Sequence, residues 1–294
     1  MRLLTALALL LAANLLHADS IAPLSGDKSD RVTDLIARNQ MGQAHEFALS
    51  WQEGAPENAT AAFWVGSTAG QMAMRSGMFK AMGYAKTSRK ALEKAVELNA
   101  KDIRAQFLLM QFYLMAPGIM GGDKDEAKLI AQRIALQSKV DGLRAQGQIL
   151  ATEKDMDGWL RENRAALELA PAHPDILGSV TGYYLGKSDF AAAKTLIDAA
   201  KAVDPDHPVV RYQYVKWAAM SGQESEEALA IIDEMLKMPR YPDRFSLSGA
   251  HLRRGQLLAK LGRKDQAISA YEACLTIDPE LKGVNEELEA LRKA

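Results

Sequence analysis

The segment Gly182–Ser188 resembles a phosphate-binding loop, because its glycines precede a lysine and a serine. A Walker motif needs one more residue between its glycines to surround the phosphates with backbone N–H groups. The glycine-rich segment Gly118–Gly122 could form a nest of N–H groups, but acidic residues begin directly after it at Asp123 and would repel a phosphate. We therefore expect no nucleotide site, and we predict that Asp123 and Glu126 form a capping box at the start of a helix.

Two further patterns resemble metal sites but lack a ligand. The acidic run Glu153–Asp157 resembles the start of a calcium loop, yet Arg164 occupies the position of the bidentate glutamate that closes an EF-hand. His45 and Glu46 begin a zinc-protease pattern, and Leu49 stands where the second histidine would lie. An acidic turn and an ordinary helix are the better interpretations of these segments.

Two histidines and one cysteine are the remaining residues that could bind a metal or react. His173 and His207 lie 34 positions apart and could stack along one edge of a repeat structure, but no third ligand is near them in the sequence. Cys274 is the only cysteine, so an intramolecular disulfide cannot form, and we predict a buried, inert thiol. No Gly-x-Ser-x-Gly elbow occurs. The sequence thus predicts no catalytic, cofactor-binding or metal-binding residues, and no cofactor; an enzyme that uses scattered residues is the alternative.

Composition favours packed helices without a strongly charged partner. The chain has 36 Lys and Arg residues against 37 Asp and Glu residues, so its overall charge gives no reason to bind nucleic acid or an anionic membrane. Hydrophobic residues make up 48% and aromatic residues only 6%, which favours helices over a β-sandwich.

The N-terminal residues are typical of a secretory signal peptide. Arg2 precedes an apolar run from Leu3 to Leu16, and a small residue follows at Ala18. The run is shorter than the roughly 20 residues that span a bilayer; an uncleaved anchor is the alternative. We predict cleavage after Ala18 and a periplasmic or secreted product, with residues 19–294 forming the mature chain and no stable membrane span. No cysteine stands directly after the apolar run, which argues against a lipoprotein.

Proline spacing indicates an internal repeat. Pro171, Pro205 and Pro239 are separated by 34 and 34 residues, and Pro279 follows after 40. Within this frame small residues occupy Ala193 and Ala267, where two helices would approach closely. A 34-residue period that ends in proline resembles the tetratricopeptide repeat.

The resemblance implies an all-α, right-handed superhelical solenoid of about seven helix pairs with a C-terminal capping helix. Repeats over about 25–139 are degenerate, those over about 140–281 are clearer, and the cap is expected near 283–293. Trp159, Asn163 and Ala228 depart from the pattern. Gly255 and Tyr271 fit it, and Gly262 marks a turn between the helices of one pair.

The segment from Pro117 to Asp123 also resembles a loop of periplasmic tetratricopeptide proteins of two kinds. These are relatives of the T component of TRAP transporters and regulators of microtubule dynamics. The resemblance implies a periplasmic accessory or binding protein without established chemistry. The transporter T components are lipoproteins, whereas this chain lacks the acylated cysteine.

The first helix of each tetratricopeptide pair lines a concave groove, so this surface is where we expect a protein or peptide partner to bind. The predicted groove residues can hydrogen-bond a peptide backbone or carboxylate, and we expect the cationic and aromatic ones to be exposed. They are Arg144, Gln148, Tyr212, Lys216, Arg253 and Gln256. Gly178 and Gly182 would leave space in the groove. The alternative is a small-ligand-binding accessory protein of a periplasmic transport system, and a closed apolar cavity lined by Phe107, Met110 and Tyr113 would favour it.

Overall fold

The computed structural model describes residues 27–242 and 244–293, and the predicted signal peptide lies outside these ranges. Within them the chain is all-α, with fifteen α-helices, one 3-10 turn and no strand. The helices are α1 (Asp27–Ala37), α2 (Met41–Gly54), α3 (Ala59–Arg75), α4 (Met78–Leu98), α5 (Ile103–Met115), α6 (Lys124–Gln137), α7 (Lys139–Thr152), α8 (Met156–Leu169), α9 (Pro174–Gly186), α10 (Phe190–Val203), α11 (Pro208–Ser221), α12 (Ser225–Met235), α13 (Leu247–Lys260), α14 (Lys264–Ile277) and α15 (Val284–Lys293). Five pairs of successive helices pack together, namely α3 with α4, α5 with α6, α9 with α10, α11 with α12 and α13 with α14. Helix α15 packs on α14 as a cap, so the predicted all-α architecture of helix pairs is confirmed.

Short polar residues and prolines determine where the helices begin. The Asp102 carboxylate accepts hydrogen bonds from the backbone N–H groups of Arg104 and Ala105, at 2.9 and 3.2 Å, and so satisfies donors that have no partner inside α5. Pro174 and Pro208 occupy the first turns of α9 and α11. Proline suits this position because its missing N–H would have no intrahelical acceptor there.

The small residues of the repeat lie where helices meet. Ala193 and Ala267 are fully buried, as predicted. A Cβ atom added to Gly255 would lie 2.7 Å from the Tyr271 ring, so only glycine lets α13 approach α14 at this point. Gly262 lies between the same two helices with φ of 73°. The positions that the proline spacing assigned to the last repeat are therefore confirmed.

The described residues form two compact units. The middle unit comprises residues 55–162, and the terminal unit combines residues 28–54 with those from 163 onward. In the terminal unit the Asp34 carboxylate accepts a hydrogen bond from the Tyr241 N–H at 3.4 Å, and the Asn39 side chain donates to the Ile277 carbonyl at 3.3 Å. The first helix pair therefore packs with residues that follow it by more than 200 positions.

In the middle unit the glycine-rich loop folds back on the end of α5. Residues Gly118–Met120 form a 3-10 turn, and a Cβ atom on Gly122 would lie 1.8 Å from the Ala116 carbonyl oxygen. Asp123 caps α6 as predicted by accepting from the N–H groups of Asp125 and Glu126. The second hydrogen bond of the predicted capping box, from the Asp123 N–H to the Glu126 carboxylate, does not form, and this part of the prediction is wrong. The Asp123 N–H donates instead to the Tyr113 carbonyl, and the Glu126 carboxylate accepts a hydrogen bond from Arg133 of α6.

Candidate partner-binding groove

The terminal unit contains a cleft of about 190 Å³ along the starts of α9 and α11 and the loop before α13. Residues at equal repeat positions line it, since Pro174, Pro208 and Pro242 follow one another at 34-residue intervals, as do Gly178 and Tyr212. The remaining lining residues are Asp175, Ser179, Val209, Gln213, Arg244 and Phe245. Stacked repeats thus turn equal positions into neighbours along one groove.

Aromatic side chains form one wall of the cleft. The Tyr212 and Phe245 ring centroids lie 5.5 Å apart, and Phe245 stacks on Tyr241 at 5.0 Å. A Cβ atom on Gly249 would lie 2.8 Å from the Tyr212 hydroxyl, so glycine makes room for the phenol. Burial raises the pKa of Tyr212 to about 12 and keeps the phenol neutral at physiological pH. This wall offers rigid apolar area with a neutral hydroxyl at its edge.

Buried polar groups fix the first helices of two repeats to each other. The Thr181 hydroxyl and the Gln213 side-chain oxygen lie 2.9 Å apart, and both residues are buried. A Cβ atom on Gly178 would reach only ordinary contact with the Gln213 amide, and one on Gly182 would meet nothing within 4 Å. The predicted space beside these glycines is therefore present at Gly182. Asp175 and Arg244 form an ion pair at the cleft.

One helical turn beyond Tyr212, the Lys216 side chain lies close to that of Arg253. Burial, and secondly the positive charge of Arg253, lower the pKa of Lys216. Neither cation forms an ion pair with a carboxylate in the described parts of the chain, and both are half-buried. A half-buried charge without a counter-ion is costly, because its lost hydration is not replaced. The pair is therefore suited to binding an anionic group.

A chain of hydrogen bonds from the capping helix holds Arg253. The Arg253 guanidinium donates to the Gln256 side-chain oxygen at 2.7 Å, and the Gln256 amide donates to both Glu287 carboxylate oxygens at 2.9 and 3.1 Å. The Tyr271 hydroxyl donates to the same carboxylate at 2.8 Å. The cap thus sets the orientation of a groove residue on the preceding repeat.

The structure brings four of the six predicted groove residues together. Tyr212, Lys216, Arg253 and Gln256 belong to the terminal unit, whereas Arg144 and Gln148 lie on α7 in the middle unit. The Arg144 guanidinium carbon lies 3.6 Å from the Phe107 ring centroid, and its side chain is only 15% exposed.

The expectation that Arg144, Tyr212, Lys216 and Arg253 are exposed is wrong, because each is half-buried. Long side chains lie along neighbouring helices and bury their stems there. The three residues named for the small-ligand alternative lie in the middle unit. Phe107 and Met110 are packed in the core, and the Tyr113 hydroxyl donates to Glu93 at 2.8 Å.

Sequence reasoning missed most residues of this site, including Gln213, Arg244, Phe245 and Glu287. Gln213 follows Ser179 by 34 residues and both line the cleft, so the repeat period relates these two positions. The other three lie in an irregular loop or on the cap, where the period gives no guidance.

The histidines and the cysteine that could bind a metal or react have structural roles in the terminal unit. The His207 Nδ1 accepts the Val209 N–H at 3.1 Å and caps α11, and His173 precedes α9 in the corresponding position. Among the described residues no group of three or more potential metal ligands occurs. Cys274 is fully buried as predicted, and burial raises the pKa of its thiol to about 11, so the thiolate is scarce at neutral pH.

Comparison with known proteins agrees with this architecture. A tetratricopeptide-repeat family model matches residues 248–281, which include α13 and α14. Residues 248–281 are thus a tetratricopeptide repeat, and the chain has the fold of tetratricopeptide-repeat proteins. No curated protein matches the sequence. Across the described residues no helix has both the length and the apolar character needed to cross a bilayer.

Solved structures with tetratricopeptide architecture align with most of the chain. The human IFIT1 dimer with m7Gppp-AAAA aligns with a TM-score of 0.51 at 14% identity, over 86% of this chain and 60% of that one. Yeast Tom70 aligns with a TM-score of 0.49 at 14% identity, over 95% of this chain and 55% of that one. A tetratricopeptide repeat protein from Parabacteroides merdae aligns with a TM-score of 0.45 at 11% identity, over 90% of this chain and 98% of that one. The chain spans less than two thirds of the first two, and identities this low concern the fold alone.

Proposed function

We propose that this tetratricopeptide-repeat protein is exported and binds a protein or peptide segment in the groove of the terminal unit, without catalysis. Lys216 and Arg253 carry the proposal, because they are adjacent, half-buried and without a carboxylate partner among the residues that the structure describes. An acidic side chain or a C-terminal carboxylate would supply the missing counter-ion through charge-assisted hydrogen bonds. Interfaces concentrate their binding energy in such arginine and tyrosine anchors.

The shape of the cleft favours a partner segment over a small molecule. Its volume of about 190 Å³ is below the roughly 300 Å³ at which small-molecule pockets begin. Equal repeat positions extend it from α9 to the loop before α13, which suits an extended chain with side chains at regular intervals. Tyr212 would cover an apolar side chain of the segment beside the anchored carboxylate.

Export is proposed from the N-terminal apolar run, and the periplasmic accessory role from the loop between Pro117 and Asp123. Intact-mass measurement of the protein recovered from the periplasm should give the mass of residues 19–294. A cytoplasmic product that retains Met1 would contradict export.

Partner capture tests the groove. Crosslinking in periplasmic extract identifies the partner, and titration with that partner then compares the wild type with Lys216→Glu. We expect loss of capture, because charge reversal beside Arg253 would bind that guanidinium internally. Lys282→Glu is the matched control, since Lys282 is exposed in the same unit and lies after α14. Equal capture by the wild type and Lys216→Glu, at equal helicity and melting temperature, would remove the groove as the binding site.

A further inference from the structure

The turn between α3 and α4 carries the most exposed apolar side chains of the middle unit's first helix pair. Met74, Met78 and Phe79 are 79%, 76% and 91% exposed, and Met82 is also exposed. We call residues 74–83 the hairpin tip. Single exposed apolar residues are ordinary on protein surfaces, but a contiguous group marks a contact with another molecule or a membrane.

The hairpin tip extends beyond its neighbours. α3 and α4 have 17 and 21 residues, whereas every other described helix has 14 or fewer. α5 returns alongside α4 after a short turn but has only 13 residues, so roughly the first two turns of α4 have no partner from α5. Ile119 in the 3-10 turn is 90% exposed, and this turn contacts α4.

The hairpin has a charge unlike that of the whole chain. Between Ala59 and Leu92 there are five basic residues and no acidic one, while the chain as a whole has a formal charge of −1. The five are Arg75, Lys80, Lys86, Arg89 and Lys90. Lys80, Lys86 and Lys90 are exposed. Glu93 follows this stretch directly and lies 3.8 Å from the Arg89 guanidinium. Beyond the 3-10 turn the first acids are Asp123 and Asp125 at the start of α6.

Apolar and cationic groups follow one another along α4. Phe79, Met82, Lys86 and Lys90 are separated by three, four and four residues, so they lie on one stripe of the helix. Phe79 and Lys86 differ by about 10 Å along the axis, from a rise of about 1.5 Å per residue. Interfacial segments bury apolar groups to about 5–10 Å, with basic groups at the headgroups.

We propose that the hairpin tip docks on an anionic lipid surface, with Met78 and Phe79 at the acyl boundary and Lys80 and Lys86 at the phosphates. A partner helix in a groove would need apolar residues along the whole stripe, but here they end after about one turn. Self-association through the tip would bring two acid-free basic segments together, and their repulsion opposes a second copy. A lipid surface satisfies both the apolar tip and the lysines.

Vesicle flotation tests this proposal with the full mature chain. We expect the wild type to float with phosphatidylglycerol-containing vesicles at low salt and to dissociate from them at high salt. It should not float with purely zwitterionic vesicles. Met78→Ser/Phe79→Ser should abolish flotation. Lys80→Gln/Lys86→Gln should weaken partition roughly 25-fold, from about fivefold for each lysine removed. Leu136→Ser is the control, because Leu136 is 89% exposed on α6 in the same unit.

Circular dichroism establishes that each variant is folded. Failure of the wild type to float, or equal flotation of Met78→Ser/Phe79→Ser, would overturn the proposal. It would also be overturned by sedimentation that shows a wild-type dimer without lipid binding, broken by the same double substitution. That result would assign the tip to a second copy of the chain.

Discussion

The terminal unit and the middle unit are both built from helix pairs, but they present different surfaces. In the terminal unit, side chains from successive repeats converge on a cleft. One helical turn beyond Tyr212, Lys216 and Arg253 are half-buried without an ion-pair partner among the described residues. In the middle unit, a single lengthened pair carries its apolar and basic groups at one end, where they are exposed. A repeat can therefore present a surface in two ways, by aligning equal positions across several pairs or by extending one pair.

Overpacking of a helix crossing should have the largest effect on stability, and it tests whether the terminal unit needs its small residues. Ala267 on α14 is fully buried, so Ala267→Phe should cost about 1–3 kcal/mol through displaced side chains. Urea unfolding monitored by circular dichroism measures this. Thr276→Phe, at an exposed position of the same helix, is the control. Equal midpoints for Ala267→Phe and the wild type would show that the repeat positions are misassigned.

Removing an unpaired cation should stabilise the terminal unit while weakening its binding. Lys216→Met should add about 0.5–2 kcal/mol at neutral pH, because the charged lysine is desolvated and repelled by Arg253. Below its lowered pKa the folded lysine is charged. Between that pKa and the ordinary value, the unfolded state binds more protons, so wild-type stability rises with pH.

The advantage of Lys216→Met should therefore shrink as the pH rises through this window. Thermal melts of both proteins at neutral and alkaline pH measure it. A variant that is less stable than the wild type at neutral pH would mean that Lys216 contributes favourable contacts, and the contrast with the solvated lysines of the hairpin would fail.

The smallest effect is expected from the capping helix. Glu287→Gln should cost about 0.5–1.5 kcal/mol, because it replaces a charged acceptor of the Gln256 and Tyr271 hydrogen bonds with a neutral one. Partner capture should weaken slightly, since Arg253 depends on Gln256 for its orientation. Glu286→Gln is the matched control, at the exposed neighbouring position. If Glu286→Gln weakened stability and partner capture as much as Glu287→Gln, the Glu287 hydrogen bonds would not explain the effect. The proposed link between the cap and the groove would then be wrong.

Local sequence patterns predicted the helix pairs because each repeat is defined by contacts between nearby residues. Proline spacing and the small residues Ala193, Gly255 and Ala267 identify crossings within a pair, and the structure confirms the burial of both alanines and the close approach at Gly255. The exposure of Arg144 and Lys216 could not be predicted, since it depends on how long side chains lie on adjacent helices.

Contacts between distant parts of the chain were beyond the reach of the period. The period gives no reason for Asp34 to bond the Tyr241 backbone or for Asn39 to reach Ile277. The irregular loop before α13 also lengthens the last proline interval to 40, and this loop supplies Phe245 and Arg244 to the cleft. The residues that break the repeat are thus among those that shape the candidate site.

The association of the first helix pair with the last repeats has a consequence for the order of folding. Residues 55–162 form a unit from one continuous stretch, so this unit can assemble as soon as that stretch is available. The hydrogen bond from Asn39 to Ile277 joins residues 238 positions apart, and closing so long a loop costs chain entropy before any contact rewards it. The contact between the first helix pair and the last repeats should therefore form late, only after the chain has been released as far as Ile277.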